Sequence, residues 1–249
     1  MKPIQIWGGL ALAAAVAGAA QAVEYPAELG WSGRVSLAMP VTGVVETVAA
    51  QPGQHLKKGE LLAALNPTQF KANVAEARAD VDRLAPELAD ARKDLERVKE
   101  LYARTVSATS ELDAVQLRHD RAAAALAGAQ ARLDRARRQL EESELRAPFD
   151  AIVLVRMAEP GLVAATPCQP NPLFTVARAD ELIARVTLSP DQASRLAPGR
   201  KVEVAVGGRA INGEIRGISV RDDGKFRLDV GVARENGLMP GQPATIRLP

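Results

Sequence analysis

Residues 70–102 read FKANVAEARADVDRLAPELADARKDLERVKELY, and residues 112–143 read LDAVQLRHDRAAAALAGAQARLDRARRQLEES. In both runs mostly apolar residues recur in alternating steps of four and three, which places a narrow stripe on a helix and favours a left-handed coiled coil. Only a short break separates the runs, so the helices are predicted to form an antiparallel hairpin. At about 1.5 Å per residue, each arm would be about 50 Å long. The stripe consists of Phe70, Val74, Ala77, Val81, Leu84, Leu88, Ala91, Leu95, Val98 and Tyr102, then Leu112, Val115, His119, Ala122, Leu126, Ala129, Leu133, Ala136, Leu140 and Ser143.

Two residues stand out within the predicted hairpin. Pro86 falls between the stripe positions Leu84 and Leu88, on the outer face, where a lost backbone hydrogen bond is expected to bend the helix without ending it. His119 lies on the stripe itself, where a polar residue can fix the register of the two helices at some cost in stability. The alternative is a proton-sensitive element, because the unperturbed pKa of histidine is about 6.5. The register role is the favoured interpretation.

The composition argues against several classes of function. The 249 residues carry a formal net charge of +2 and a single cysteine, Cys168. A charge so near balance gives no nucleic-acid footprint, and one cysteine cannot form an intrachain disulfide. Two histidines are too few for a His-rich metal site. No glycine-rich phosphate loop is visible, and no motif places a base beside Cys168, so we expect neither an enzyme nor a cofactor.

The first 22 residues have the three parts of a secretory signal. Lys2 supplies a positive start, residues 6–17 form an apolar middle, and Ala20-Gln21-Ala22 is a small-residue cleavage pattern. The sequence therefore predicts export, with cleavage after Ala22. The apolar middle is short and rich in alanine, which disfavours the alternative of a retained membrane anchor. The residue directly after the cleavage pattern is Val23 rather than a cysteine, so a lipoprotein is not expected.

Short apolar runs separated by turn residues flank the hairpin. Residues 23–67 and 145–180 have this texture of strands and turns. We interpret them as two halves of one β domain, into which the hairpin, residues 68–144, is inserted. Residues 181–249 contain five or six further candidate strands, which predict a small barrel. Ser189 is expected to cap a short helix over residues 190–196.

Several motifs in these β segments carry a resemblance to a known family. In their order around a helical hairpin they resemble the periplasmic adaptor (membrane-fusion, HlyD-like) proteins of tripartite efflux pumps. The resemblance implies an α+β fold, in which a lipoyl/biotinyl-like β domain is split by a long antiparallel coiled-coil hairpin and followed by a small β-barrel. The motifs are PVTGVV (40–45), PGQHLKKGELL (52–62), LRAPFD (145–150), EPGLV (159–163), LAPGRKVEV (196–204) and LMPGQ (238–242).

The resemblance implies a function in transport across the bacterial envelope. Such an adaptor links an inner-membrane transporter to an outer-membrane channel, and it works in the periplasm as a ring of several copies. A resistance–nodulation–division pump is the first choice of transporter, and an ATP-binding-cassette exporter is the alternative. A different class remains open, namely a secreted coiled-coil scaffold or solute-binding module with no part in transport. The family builds a membrane-proximal domain from both chain ends, and here that domain is expected to be reduced or absent.

The resemblance also implies a working surface at the far end of the hairpin. In the family an Arg, a Leu and a Ser at the tip contact the channel, and Arg97, Leu101 and Ser107 match them by type and place. The guanidinium of Arg97 can donate to carboxylate or backbone oxygens, and Leu101 lies off the stripe. In the alternative interpretation Ser107 caps the second helix and Arg97 is solvated. A glycine usual in the family's turn is replaced here by Arg104-Thr105-Val106.

Overall fold

The computed structural model describes residues 23–164, 171–235 and 237–248. The chain divides into two compact units, one formed by residues 31–180 and the other by the segment up to Gly30 together with the chain from Glu181 onward. The predicted signal segment, residues 1–22, and Cys168 lie outside the described residues. Among the residues that are described, no helix is both long and apolar enough to cross a membrane.

Two long helices form the hairpin: α1 spans Thr68–Ala103 and α2 spans Thr109–Glu142. α1 continues through Pro86 without ending, as expected for a proline on the outer face. Its start is held by Asn66, whose Oδ1 accepts a hydrogen bond from the Thr68 N–H at 3.0 Å. Every buried residue of the two helices belongs to the predicted stripe, namely Ala77, Leu84, Ala91, Leu95 and Val98 on α1, and Val115, Ala129, Leu133 and Ala136 on α2.

Short strands make up most of the remaining described chain, together with one helical turn, α3 (Pro190–Ala193). α3 is shorter than the predicted helix over residues 190–196, and its start is the capping box of Ser189 and Gln192. The strands are β1 (Val23–Trp31), β2 (Val35–Leu37), β3 (Gly43–Val48), β4 (His55–Leu56), β5 (Leu61–Leu65), β6 (Glu144–Arg146), β7 (Ala151–Arg156), β8 (Val163–Ala164), β9 (Phe174–Arg178), β10 (Glu181–Leu188), β11 (Lys201–Val206), β12 (Arg209–Val220), β13 (Phe226–Ala233) and β14 (Pro243–Leu248).

Two four-stranded sheets, with the strand orders β2-β9-β7-β4 and β6-β5-β3-β8, form the β part of the first unit. Each sheet combines strands from before and after the hairpin, so neither half supplies a complete sheet. Leu62, Leu65, Phe174 and other fully buried side chains fill the core of this unit. At the hairpin base, β5 pairs with β6, and the Leu65 N–H donates to the buried Ser143 carbonyl at 2.9 Å. The predicted split β domain with a helical insertion is thereby confirmed.

Six strands close the barrel of the second unit in the order β1-β10-β13-β12-β11-β14. β1 corrects a predicted boundary, because the predicted first half-domain, residues 23–67, includes residues 23–30, which the structure places in the barrel. β1 pairs antiparallel with β14 from Val23 opposite Leu248 to Glu28 opposite Pro243, and Leu29 is only 1% exposed. The pairing matters physically because a closed barrel leaves no strand edge without a partner.

Candidate functional site at the hairpin tip

The turn between the two helices is closed by a helix-terminating motif. The Thr105 N–H donates to the Tyr102 carbonyl at 2.9 Å, and the Val106 N–H donates to the Leu101 carbonyl at 3.0 Å. This pair of bonds is the Schellman arrangement, which normally places a glycine in the left-handed conformation after the helix. Here Thr105 holds that conformation, with a φ of +63°. The turn therefore adopts the geometry of a glycine turn without having a glycine.

Three apolar side chains are exposed around this turn. Leu101 is 37% exposed, Tyr102 is 43% exposed and Val106 is 73% exposed. Tyr102 belongs to the predicted stripe, so its exposure corrects the extent of the stripe, whose buried part on α1 ends at Val98. Large apolar side chains grouped at the end of a projecting element are typical of a contact surface. We call Leu101, Tyr102 and Val106 the apolar tip.

Arg97 lies one helical turn before Leu101 and is strongly exposed. Its Nη2 donates to Asp94 Oδ1 at 2.5 Å, while Arg118 on α2 places Nη1 3.6 Å from Asp94 Oδ2. The side chain of Asp94 is 26% exposed, compared with 70% for Arg97. One shielded carboxylate therefore holds two arginines, one from each helix. The sequence interpretation named Arg97 but missed Asp94 and Arg118, although both directly flank the stripe, where helices of a coiled coil exchange ion pairs.

Ser107 lies in the turn, on the α2 side. Its hydroxyl donates to the carboxylate of Glu111, and α2 has no side-chain hydrogen bond at its cap. The alternative in which Ser107 caps α2 through a backbone N–H is therefore not what the structure contains. Arg97 and Leu101 share α1, and Ser107 follows after the turn, so the three predicted tip residues lie on both sides of one reversal of the chain.

His119 is the polar residue of the predicted stripe. Its side chain is partly buried, and its Nδ1 lies 3.0 Å from Oδ1 of Asp120, the next residue on α2. That hydrogen bond is the main cause of a pKa of the Asp120 carboxyl below its usual range, helped by a bond from Gln116 and by the charge of Lys99. The register role of His119 stays a prediction, because this contact lies within α2 rather than between the helices.

The opposite end of the hairpin is stiffened by a clamp between the two β half-motifs. Asp150 Oδ1 accepts a hydrogen bond from the Lys58 N–H at 2.9 Å, and Oδ2 accepts one from Lys57 Nζ at 3.2 Å. The backbone adds two more bonds, from the Gly59 N–H to the Ala147 carbonyl and from the Ala147 N–H to the Glu60 carbonyl. The segments just before and just after the hairpin are therefore fixed to one another.

No arrangement of metal ligands accompanies these features. Within residues 23–164, 171–235 and 237–248, no three His, Cys, Asp or Glu side chains are grouped so that they could hold a metal ion. What the tip offers chemically is apolar surface, two guanidinium groups and a hydroxyl. Such groups can recognise another protein through apolar contact and charge-assisted hydrogen bonds.

Solved structures share this fold. The membrane fusion protein Spr0693 from Streptococcus pneumoniae R6 superimposes with a TM-score of 0.71 at 15% identity, covering 91% of this chain and 98% of that one. A MacA–MexA chimeric protein containing the Pseudomonas aeruginosa MexA α-hairpin domain gives a TM-score of 0.65 at 19% identity, covering 90% and 79%. Identities this low show a common fold and nothing finer.

Sequence comparison carries the assignment further. The alkaline protease secretion protein AprE of Pseudomonas aeruginosa is 40% identical over 89 residues, which is 32% of this chain. The match spans only 21% of the length of AprE. The family described as CzcB-like, barrel-sandwich hybrid domain matches residues 34–177, which include both β halves and the whole hairpin. That match extends over more than half of the chain, so the protein belongs to the CzcB-like barrel-sandwich hybrid family, and the predicted resemblance to the membrane-fusion adaptors is confirmed at the level of the fold.

Proposed function

We propose that this protein is the periplasmic adaptor of a tripartite efflux system, in which it links an inner-membrane transporter to an outer-membrane channel. Several copies would form a ring, and the tips of their hairpins would contact the channel. The observation that carries the proposal is the apolar tip beside Arg97, at the end of two helices of 36 and 34 residues. The role is mechanical and calls for no catalytic residue.

The hairpin has the properties that a spacer needs. At about 1.5 Å per residue the 36 residues of α1 extend about 54 Å, nearly twice the diameter of a small domain, which is about 30 Å. The base is fixed by β5, β6 and the Asp150 clamp, while the apolar tip is exposed to solvent. A rod held at one end and exposed at the other carries a contact surface away from the sheets.

The class of transporter is the finer part of the proposal. The first choice is a resistance–nodulation–division pump, on the strength of the family resemblance in the β segments. The second is a secretion exporter of the ATP-binding-cassette type, which the similarity to the secretion protein AprE favours. A photo-cross-linking amino acid at Val220, which is 69% exposed on the barrel, would discriminate the two by capturing a subunit of one class or the other.

The contact with the channel is tested from the tip. A photo-cross-linking amino acid at Val106, in the full chain in cells, should capture an outer-membrane channel protein that mass spectrometry identifies. The same amino acid at Ala131, exposed on α2 about two thirds of the way from the tip to the base, is the matched control and should not capture that channel. Capture at both positions, or at neither, would overturn the proposed contact at the tip.

Substitutions at the predicted tip residues provide the functional counterpart. Arg97→Asp, Leu101→Asp and Ser107→Asp should each abolish transport. Each introduces a negative charge at the tip, which removes or repels the contact that the native side chain would make with the channel. All three positions lie outside the buried stripe. The free energy of unfolding, measured by thermal denaturation, should therefore change by less than about 1 kcal/mol. Full transport by all three variants would refute a role for the tip.

A further inference from the structure

α1 contains the same ionic arrangement twice, two heptads apart. In residues 80–87, Arg83 lies 3.5 Å from Asp80 and 3.0 Å from Glu87, and Arg132 of α2 approaches Asp80 at 3.5 Å. Residues 94–101 repeat this pattern, with Asp94, Arg97 and the approach of Arg118 from α2. Equivalent residues of the two copies are 14 residues apart on both helices, which is two heptads and is expected for side chains that flank a heptad seam.

Of the four residues that make up the ionic arrangement, three are the same type in both copies and one differs. In the first copy Arg83 lies between two carboxylates, since Glu87 follows it by four residues. In the tip copy the corresponding residue is Leu101, which is one of the apolar tip residues. Asp94 is the one carboxylate that Arg97 pairs with in the described part of the chain. At the position of Glu87 the tip copy therefore has an apolar side chain where the first copy has an acid.

Resting on the proposed function, we propose that the docking partner supplies this missing acid. The partner, an outer-membrane channel, would present an Asp or Glu to Arg97 beside an apolar residue that packs on Leu101. A guanidinium has five N–H donors, of which Asp94 engages only part, so donors remain for a second carboxylate. Asp94 and Arg118 then act as positioning residues that hold Arg97 along the flank of the hairpin.

The environment decides how much such an ion pair contributes. A solvated pair at a helix surface contributes little, whereas a charge pair covered by an interface contributes much more. Leu101 lies one turn from Arg97 and would exclude water from the pair once a partner covers both. The pair of Arg83 and Glu87 lies within α1, and both of its side chains are exposed. The first copy is therefore a matched control for the tip copy, because both lie on α1 and contain the same Asp and Arg.

The first experiment moves the missing acid into the chain. Leu101→Glu restores the pattern of the first copy and should lower the Val106 cross-link to the channel about tenfold, because Arg97 is then occupied. Leu101→Gln removes the same apolar side chain without the charge and should lose clearly less. Glu87→Leu, the reverse change in the first copy, should leave the yield unchanged. Equal losses for Leu101→Glu and Leu101→Gln would overturn the proposal.

The second experiment identifies the acid on the partner. Arg97→Glu should lose the cross-link, and replacing one acidic residue of the captured channel segment by Lys should restore it. Asp94→Asn should also lower the yield, whereas Asp80→Asn, the equivalent change in the first copy, should not. Thermal unfolding of each variant confirms that the hairpin is folded. A captured segment without an acid, or a failed rescue at every acid in it, would contradict the proposal.

The two proposals fail in different ways. If the unchanged tip does not capture a channel from Val106, the proposed function itself is wrong. If it does capture one, and the charge variants of both experiments behave like wild type, only the acidic acceptor is wrong and the adaptor role stands.

Discussion

Thr105 carries a backbone conformation that glycine adopts far more readily than a β-branched residue. Its φ of +63° is the one positive value at a non-glycine residue within the described chain. The left-handed conformation costs an L-residue about 1–2 kcal/mol, because Cβ crowds the neighbouring carbonyl. The turn keeps it because the bonds to the Tyr102 and Leu101 carbonyls close the end of α1. Sequence alone predicted a tight turn here but not this conformation, which threonine rarely adopts.

Thr105→Gly should therefore stabilise the tip. Relief of the strain outweighs the extra conformational entropy of glycine in the unfolded chain, for a net gain of about 0.5–1 kcal/mol. Amide hydrogen exchange at Val106 reads this gain locally, as slower exchange than in wild type. Thr109→Gly, at the first residue of α2, is the control and should speed exchange in the first turn of that helix. Slower exchange in both variants, or in neither, would contradict the strain argument.

Asp150 gives a prediction for the dependence on pH. The pKa of its carboxyl is held below the usual range, first by the Lys58 N–H and then by the Lys57 side chain. A carboxyl with a lowered folded pKa stabilises the fold above the unfolded value of about 3.9, and this contribution is lost as pH falls through the folded pKa. Asp150→Asn should therefore be less stable than wild type near neutral pH, and the difference should shrink on acidification.

Urea unfolding at a series of pH values from about 7 down to about 2 checks this. Asp222→Asn, at an exposed turn of the second unit, is the control and should run parallel to wild type throughout. A constant difference between Asp150→Asn and wild type across the whole range would show that the charge of Asp150 does not contribute.

At the scale of elements, the hairpin shows how far a heptad pattern reaches. Periodicity predicted which face of each helix is buried, since every buried residue of α1 and α2 lies on the stripe. It did not predict where the contact ends, so Tyr102 was placed in the stripe although it is exposed. Nor did it single out Asp94 and Arg118, since the ion pair depends on the relative stagger of α1 and α2. Stagger is set by the length of the turn and by packing, neither of which a single helix repeat contains.

His119→Leu distinguishes the two interpretations of this residue, a role in the register of the two helices and a proton-sensitive role. This change replaces the partly buried ring by an apolar side chain, which should stabilise the hairpin by up to about 1 kcal/mol. The gain would be measured as slower amide exchange in α2. If His119 serves register, the gain should be the same from about pH 5 to about pH 8. A gain that changes markedly across this range would support the proton-sensitive alternative instead. Gln116→Leu, one turn earlier and off the stripe, should give no comparable gain.

At the scale of the whole molecule, the chain crosses between its two units twice. The sequence predicted a split β domain followed by a barrel. Short apolar runs separated by turns lie on both sides of the helical repeat, and a further group of such runs follows them. It misplaced residues 23–30, since alternation in a short strand shows which face is apolar but not which sheet it joins. The barrel takes β1 from the start of the described chain, and Arg247 of β14 bonds both Glu24 of β1 and Glu203 of β11.

The barrel should therefore depend on β1 for its stability. A fragment of residues 181–249 leaves β10 and β14 as open edges and loses the burial of Leu29, which alone contributes about 2 kcal/mol. Joining residues 23–30 to residues 181–249 through a glycine-rich linker should restore both. We expect the fused fragment to melt about 10 °C or more above the unfused one, because 1 kcal/mol shifts the melting temperature of such a domain by about 4–8 °C. A fused fragment with Leu29→Asp is the matched control and should fall back toward the unfused value. Equal melting temperatures for all three fragments would show that β1 is dispensable to the barrel.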